Sequence, residues 1–344
     1  MDVLSSERER IEIRLKNLGY YFFSQEFVFY QADSSVADHK VNISVIIKKF
    51  RKARENGTYY ETSHPKVRVG DIFMHTDYQP RVVLNNIEAY NASLDTIRAG
   101  DVNLLYTDEL QIKPGVLVES NYIFPGELYK LDDVRNTYRN LSSLRLFRLV
   151  NIEFTETDRI NYAGEVILNC QIFLTTQTLQ SYTVELQGTN SSGNIGAAGN
   201  LSYQHRNLFR GAEQLNFSLR GALETLKEST VEDFGNMVEL GSEVTVNIPK
   251  FFLPFIKTEQ FIRKYNPSTS ISAAYNFQRR PDYTRTVANA SFGYNWRGNR
   301  YLSHFINPIE LNLVNIPYKS PEFIEWIDGK YISYSYQSHL VTVA

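Results

Sequence analysis

Among 344 residues the chain has one cysteine, Cys170. A single thiol excludes an intramolecular disulfide framework and any zinc site built on cysteines. Cys170 stands in an apolar, strand-like run, which reads as a buried and inert thiol. No stretch approaches 18 consecutive apolar residues, so there is no transmembrane helix. Positive charge is not in excess: 36 Lys and Arg face 38 Asp and Glu, a net charge of -2. That balance argues against nucleic acid as a partner, since such binding neutralises phosphates with many cations. Metal-ligand spacing is missing as well. His39, His64, His75, His205, His304 and His339 form no HExxH or HxH pattern, and the expectation is no metal and no cofactor. The glycines at 193, 196 and 199 lack the GK[ST] ending and the strand-to-helix setting of a phosphate loop. Adjacent Asp132 and Asp133 would point different ways on a helix, and no Ser-His-Asp arrangement is visible. The expectation is a protein that is not an enzyme. No leader sequence opens the chain, because Met1 runs straight into Asp2 and a charged stretch at 7–16. Two readings follow: a cytosolic protein, or a piece whose export signal lies upstream.

Aromatic residues are abundant, at 13% of the chain with 23 Tyr and 21 Phe. With only 3 Met and 2 Trp, this composition suits strands, whose pleated surface favours aromatic side chains. A mean hydropathy of -0.33 does not exclude a membrane protein, since a transmembrane barrel places its apolar residues at every second position.

The first half reads as mixed α and β. Ile11, Leu15, Leu18 and Phe22 recur at helical spacing and predict an amphipathic helix ending near Gly19. Strand-like runs follow at 27–30 and 41–47, around a polar turn at 33–38. The charged stretch 48–57 reads as a linker. A second unit starts with a strand at 66–75, and 77–121 reads as an irregular insertion with a hairpin around Lys113-Pro114-Gly115. Leu131, Val134, Tyr138, Leu141 and Leu144 then give a strong helical stripe, with Asp132 and Asp133 at the end where acidic groups suit the helix dipole. Two more strands, 149–155 and 165–175, flank a polar turn at 156–164. Both units thus run helix, strand, strand, which points to a repeated module.

From about residue 181 the period changes to two. Tyr182, Val184 and Leu186 alternate with Thr183, Glu185 and Gln187. The same alternation recurs around Leu215–Leu223, Val238–Ile248, Ile271–Phe277, Ala288–Trp296 and Ile309–Leu313, with another member beginning at Ile332, Tyr334 and Tyr336. Each stretch runs about 10 residues, enough to span a bilayer as a tilted strand, where soluble strands run nearer 5 to 6. Charges Arg220, Glu239 and Glu243 fall on the polar face at mid-strand. A soluble sandwich would turn them outward to water and a membrane barrel would turn them into its lumen. Strand length and the aromatic pairs Tyr275/Phe277 and Tyr294/Trp296 favour the barrel, since aromatic girdles mark the bilayer interfaces.

The most specific stretch is 188–213. It reads as a turn, a glycine-spaced strand in which Gly193, Gly196 and Gly199 permit a bend or a close backbone approach, and a tight turn. That turn is His205, Arg206, Asn207, Leu208, Phe209, Arg210, Gly211, Ala212 and Glu213, with Gly211 expected at positive φ. Its own reading is structural, a reverse turn between two strands. The stretch resembles the start of the barrel in the BamA/TamA superfamily of outer-membrane assembly factors, the bacterial surface antigen family. Residues 248–255, rich in Pro and Phe, look like a turn of TamA-like members, and the upstream modules look like POTRA domains, whose order is strand, two helices, two strands. The resemblance spans essentially the whole chain, most specifically at 188–220.

The resemblance implies α+β POTRA modules followed by an all-β antiparallel transmembrane barrel portion, about half of a 16-stranded barrel. The expected boundaries are 1–58 for a partial POTRA-like module, 59–180 for a second with the insertion at 77–121, and 181–344 for the first half of the barrel. About eight strands are countable, no Arg-Gly-Phe/Tyr loop motif is present, and the chain ends at Ala344 without an aromatic closing strand. These departures lead to the expectation of a chain truncated at both ends. The implied role is insertion of outer-membrane proteins. POTRA modules in the periplasm would take unfolded outer-membrane proteins and periplasmic or lipoprotein accessory factors. The barrel's first strand, Thr183, Val184, Glu185, Leu186, Gln187 and Gly188, would pair with client strands within the lipid bilayer of the bacterial outer membrane. A two-partner-secretion pore and, from another class, a soluble β-rich binding protein are the alternatives.

Overall fold

A computed structural model describes every residue except 1, 38–39, 55–56, 161–164, 192–193, 227–234, 252–264, 266, 299–300, 329–338 and 342–344. The helical spacing of Ile11 and Leu15 appears as α1 (Asp2–Lys16), which carries an exposed ion pair, Arg10–Glu7, and a half-buried one, Lys16–Glu12. Strands β1 (Val28–Ala37) and β2 (Lys40–Ile47) pair antiparallel. They are longer than the sequence suggests, because the polar segment at 33–37 continues the ladder instead of ending it. The charged stretch expected to be a linker holds a short hairpin, β3 (Phe50–Ala53) with β4 (Tyr59–Thr62). Phe50 draws it inward: its ring lies 5.8 Å from both Phe22 and His64.

The second unit begins with β5 (Val67–His75). The insertion is regular. It contains α2 (Pro80–Asn85), α3 (Ile87–Ala92) and the hairpin β6 (Asp95–Ala99) with β7 (Val102–Tyr106). The hairpin expected at Lys113-Pro114-Gly115 is instead the start of α4 (Pro114–Ser120). Proline fits the first helical turn, where its missing N–H has no intrahelical partner anyway. The helical stripe is α5 (Leu131–Ser143). Asn17, just past α1, holds its start: Asn17 Oδ1 accepts from Asp132 N at 2.9 Å while Asn17 Nδ2 donates to Asp132 Oδ2 at 2.8 Å. Strands β8 (Phe147–Ile160) and β9 (Val166–Thr176) complete the unit.

The sheet order is β6-β7-β5-β9-β8, with β5 parallel to both β7 and β9. Without the insertion the chain runs strand, two helices, two strands. Alternation along β9 buries Leu168, Cys170, Ile172 and Leu174 to 1% exposure or less. Leu168 packs with Val67 and Tyr129, and Tyr21, Phe22, Val134 and Phe154 close over them. Burial at about 1.5–3 kcal/mol per large apolar side chain is the main term favouring this unit. His75 is a polar exception in the core. Its Nδ1 lies 3.0 Å from Tyr90 Oη on α3, its Nε2 lies 3.2 Å from Gln171 Oε1 on β9, and its ring stacks on Phe173 at 4.7 Å.

The second half of the chain is one antiparallel meander of eight described strands. They are β10 (Gln180–Ser191), β11 (Asn194–His205), β12 (Gln214–Leu226), β13 (Gly235–Ile248), β14 (Ser268–Arg279), β15 (Tyr283–Arg297), β16 (Ser303–Lys319) and β17 (His339–Val341), in sequence order across the sheet. A helix, α6 (Pro321–Asp328), follows β16. The first seven strands run 12 to 17 residues. The strand expected at 332–336 lies outside the described residues. Contact clustering separates two compact units: Met1–Leu110, Pro114–Ser143 and Phe147–Thr176 form one, and Gln111–Lys113, Leu144–Leu146 and Gln177–Ala344 form the other.

Two outcomes follow for the first unit. Leu141 is fully buried, so Leu141→Ala should cost about 2–5 kcal/mol, read as a lower midpoint in urea unfolding. Burial, its largest cause, holds the His75 imidazole below the usual histidine range, so the unfolded chain takes up that proton more readily than the folded one. The contribution of neutral His75 is complete above the unfolded pKa of about 6.5 and is lost as pH falls toward the folded value. Unfolding midpoints at about pH 7.5 and about pH 5.5 should therefore differ, and His75→Gln should flatten the difference.

Candidate functional site

Two features of the meander carry the residues singled out from sequence: its first strand and the turn between β11 and β12. Antiparallel pairing puts directly opposed residues on one face. Across the sheet one row reads Val184, Leu201, Leu219, Ser242, Tyr275, Ala288, Leu313, and the next reads Tyr182, Tyr203, Phe217, Val244, Ala273, Ala290, Leu311. The opposite face reads Thr183, Ser202, Ser218, Glu243, Ala274, Asn289, Asn312, and Glu185, Asn200, Arg220, Gly241, Asn276, Val287, Val314. The sheet thus has one apolar and one mostly polar face, and the apolar one is exposed: Leu186 is 85% and Leu223 60% accessible.

The polar face holds a recess of about 390 Å³ lined by Glu185, Arg220, Glu239, Glu243 and Asn276, among others. Neighbouring strands are stitched there by side-chain bonds, Asn276 Nδ2 to Glu239 Oε1 at 3.0 Å and Gln204 Nε2 to Asn216 Oδ1 at 2.9 Å. Aromatic rings gather at both ends of β15. At its carboxyl end Phe251 lies 4.5 Å from Tyr294, and Trp296 stacks on His304 at 5.0 Å. At its amino end Tyr283 meets Phe323 of α6 at 5.0 Å.

The turn at 206–213 is built on two side chains. Asn207, only 5% exposed, accepts from Ala212 N at 3.0 Å and donates to Gln111 O at 2.9 Å. The Glu213 carboxylate accepts from Gly211 N at 2.8 Å and Phe209 N at 3.2 Å. Positive φ falls on Arg210 and Ala212, both at 65°, and not on Gly211 as expected. A Cβ at 211 would push the Glu213 carboxylate away from the two amides it accepts from. Gly196 meets the expected close approach: a Cβ would come within 2.8 Å of Leu223 O and 2.6 Å of Thr189 Oγ1. Gly193 lies outside the described residues.

Of the nine turn residues, Asn207, Gly211, Ala212 and Glu213 form the knot. His205 Nδ1 accepts from Asn207 N at 3.2 Å and Arg206 donates to Thr178 O at 2.9 Å. Phe209 points outward at 62% exposure. What the sequence missed is the company the turn keeps within its own unit. Lys113 N donates to Arg210 O at 2.7 Å, and Gln214 Nε2 donates to Leu144 O at 3.2 Å. Partners 70 to 97 residues upstream leave no local signal.

The predicted edge, residues 183–188, lies in β10. Among the described residues β10 pairs with β11 and with no other strand, and residues 182–190 are all exposed. Tyr182 and Tyr203 pack across the pair with centroids 4.9 Å apart and their rings tilted by 34°. The outer side of β10 therefore presents a row of backbone donors and acceptors, the arrangement that templates another strand.

No family model matches the chain, and no curated protein matches it in sequence. Among solved structures it is similar to BamA from Haemophilus ducreyi lacking POTRA domains 1-3, with 13% identity, 93% of this chain and 58% of that chain covered, and a TM-score of 0.39. It is also similar to CdiB from Acinetobacter baumannii (10% identity, 91% and 71% covered, TM-score 0.29) and CdiB from Escherichia coli (8%, 91% and 66%, 0.27). The chain spans less than two thirds of the BamA chain's length. At these values similarity assigns no role to individual residues, and strand geometry has to carry the functional reading.

The turn makes a direct prediction. Asn207→Ala leaves the Ala212 amide and Gln111 carbonyl unpaired and should cost about 1–3 kcal/mol. Gly211→Val should be worse than Phe209→Ala, whose side chain is exposed. The measurement is the yield and denaturant resistance of the refolded sheet for the three variants. Equal behaviour would show that the knot does not hold the turn.

Proposed function

We propose that residues 181–344 form part of a transmembrane β-barrel wall in the bacterial outer membrane, and that the protein is a non-enzymatic assembly factor of the BamA/TamA kind. One observation carries this reading: strands of 12 to 17 residues with an exposed apolar face and a polar opposite face. Twelve residues at about 3.3 Å each, tilted by about 40°, rise about 30 Å, enough to span the apolar band of about 25 Å that such barrels present to lipid. A soluble sandwich would bury the apolar rows, and a single-layer wall in lipid leaves them facing acyl chains.

In this reading the two helix-strand-strand units are POTRA modules in the periplasm, where they take unfolded outer-membrane proteins or accessory factors. The exposed side of β10 templates the incoming client strand. The driver is the cost of unpaired backbone groups in hydrocarbon, several kcal/mol for each. A strand entering beside residues 183–188 finds donors and acceptors already spaced to receive it.

Alternate-residue labelling tests the wall. Single cysteines replacing Leu219 and Arg220 (in a Cys170→Ala background) should divide, position 219 quenched by lipid-borne probes and position 220 by water-soluble ones. Equal access to water at both positions would refute the membrane wall. A photocrosslinker at Thr183 should capture barrel proteins during their assembly, and depletion should lower their levels. Unchanged barrel levels with loss of one secreted protein would identify a two-partner-secretion pore instead.

A further inference from the structure

The apolar face of β10 to β15 carries a single Lys, Arg, Asp or Glu among the described residues, and it is Arg279. Arg279 closes β14, in the row Leu223, Val238, Arg279, Thr284, Tyr318. One row along the strands stand Leu240, Phe277 and Thr286, and the row after that holds Tyr275 and Ala288. Successive strands of the meander alternate in direction. With β10 entered from the periplasm, β14 runs outward and Arg279 stands at its outer end. A cation on a lipid-facing surface is costly at mid-bilayer and nearly free at the level of the headgroups. The one charge on this face therefore falls at the depth where lipid phosphates lie.

The surroundings of Arg279 form a site. A recess of about 660 Å³ is lined there by Val238, Phe277, Arg279, Arg280, Thr284 and Tyr318, among others. Val238 and Phe277 are apolar, and the other four side chains can all donate hydrogen bonds. Tyr318 is 52% exposed. Arg280 Nε lies 3.3 Å from Met237 Sδ, an uncharged partner. Among the described residues no carboxylate pairs with either guanidinium. Two neighbouring cations without a counter-ion suit a phosphate, whose oxygens match the guanidinium fork and whose charge relieves their repulsion. The recess on the polar face is built the other way, with Glu185, Glu239 and Glu243 around Arg220. The anion-suited recess is the one on the apolar side.

We propose that this recess binds the phosphate-bearing headgroup of a lipid in the outward leaflet. Arg279 and Arg280 take the phosphate, Thr284 and Tyr318 donate to its remaining oxygens, and the acyl chains run down the sheet over Phe277 and Leu240. The inference rests on the membrane-wall reading, which gives this face its lipid.

The test uses the full chain in detergent micelles with lipid A, a bisphosphorylated glycolipid, as the probe. Native mass spectrometry counts the lipid retained. One lipid A per chain is expected, bound at least tenfold more tightly than the same lipid stripped of its phosphates. Arg279→Gln with Arg280→Gln should weaken binding at least tenfold, and Arg279→Gln alone, at an exposed side chain, gives the same reading if the double variant fails to fold. Arg285→Gln, opposite Gln278 on the polar face, should bind as the parent does. Equal retention by parent and Arg279 variants, or equal retention of the phosphate-free lipid, would overturn the proposal. So would complete displacement of lipid A by inorganic phosphate at equal concentration, which would make the recess a site for the free anion. Lipid quenching of a label on Leu219→Cys (in the Cys170→Ala background) separates the two failures. With quenching kept, equal retention removes the site and leaves the wall; with quenching lost, wall and site fall together.

Discussion

A backbone amide or carbonyl left without a partner and away from water costs several kcal/mol. That cost is the constraint on which the carboxyl-terminal half of this chain depends. Along β11 to β15 every strand is flanked on both sides by an antiparallel partner, in continuous register except for two shifts between β15 and β16. With the backbone satisfied inside the sheet, the side chains are free to serve two different surroundings, one on each face. Charged residues such as Arg220 and Glu243 tolerate mid-strand positions because their face is mostly polar. Leu186 and Leu223 stand exposed on the face that is mostly apolar.

The same constraint makes the ends of the sheet and its turns the places where chemistry concentrates. At β10 the outer row of backbone groups has no strand beside it among the described residues. At the turn 206–213 the chain must reverse, and its amides are satisfied by Asn207 and Glu213 side chains instead of by a neighbouring strand. In the amino-terminal half β5 and β9 repeat the principle in a buried sheet, where helices cover what water or lipid would otherwise meet. The insertion adds β7 beside β5, so the edge that a plain strand-helix-helix-strand-strand unit would leave open is occupied.

Much of this was legible from residue order. The period of two from Tyr182 onward gave the strands of the meander, because side-chain direction in a strand alternates without exception of register. The stripe from Leu131 to Leu141 gave α5 for the matching reason at period 3.6. Other stretches misled. Residues 48–57 read as a linker because Lys and Arg dominate them, yet Phe50 anchors a hairpin through rings contributed by Phe22 and His64. Lys113-Pro114-Gly115 read as a turn, yet proline at the first helical position opens α4. Gly211 reads as the positive-φ residue by its type, yet positive φ falls on Arg210 and Ala212, and Gly211 instead lies against the Glu213 carboxylate.

By itself, then, the sequence determined which faces of the meander are apolar and where its strands and α5 run, since both follow from local period and side-chain type. It also placed the turn at 206–213, whose residues bond mainly to one another. Only the tertiary structure decided which strands are neighbours, which edges stay open and what lies against the turn. Those outcomes hang on backbone pairing and on contacts such as Asn207 with Gln111 and His75 with Tyr90, between residues far apart in the chain, and no local pattern encodes a partner that distance brings together.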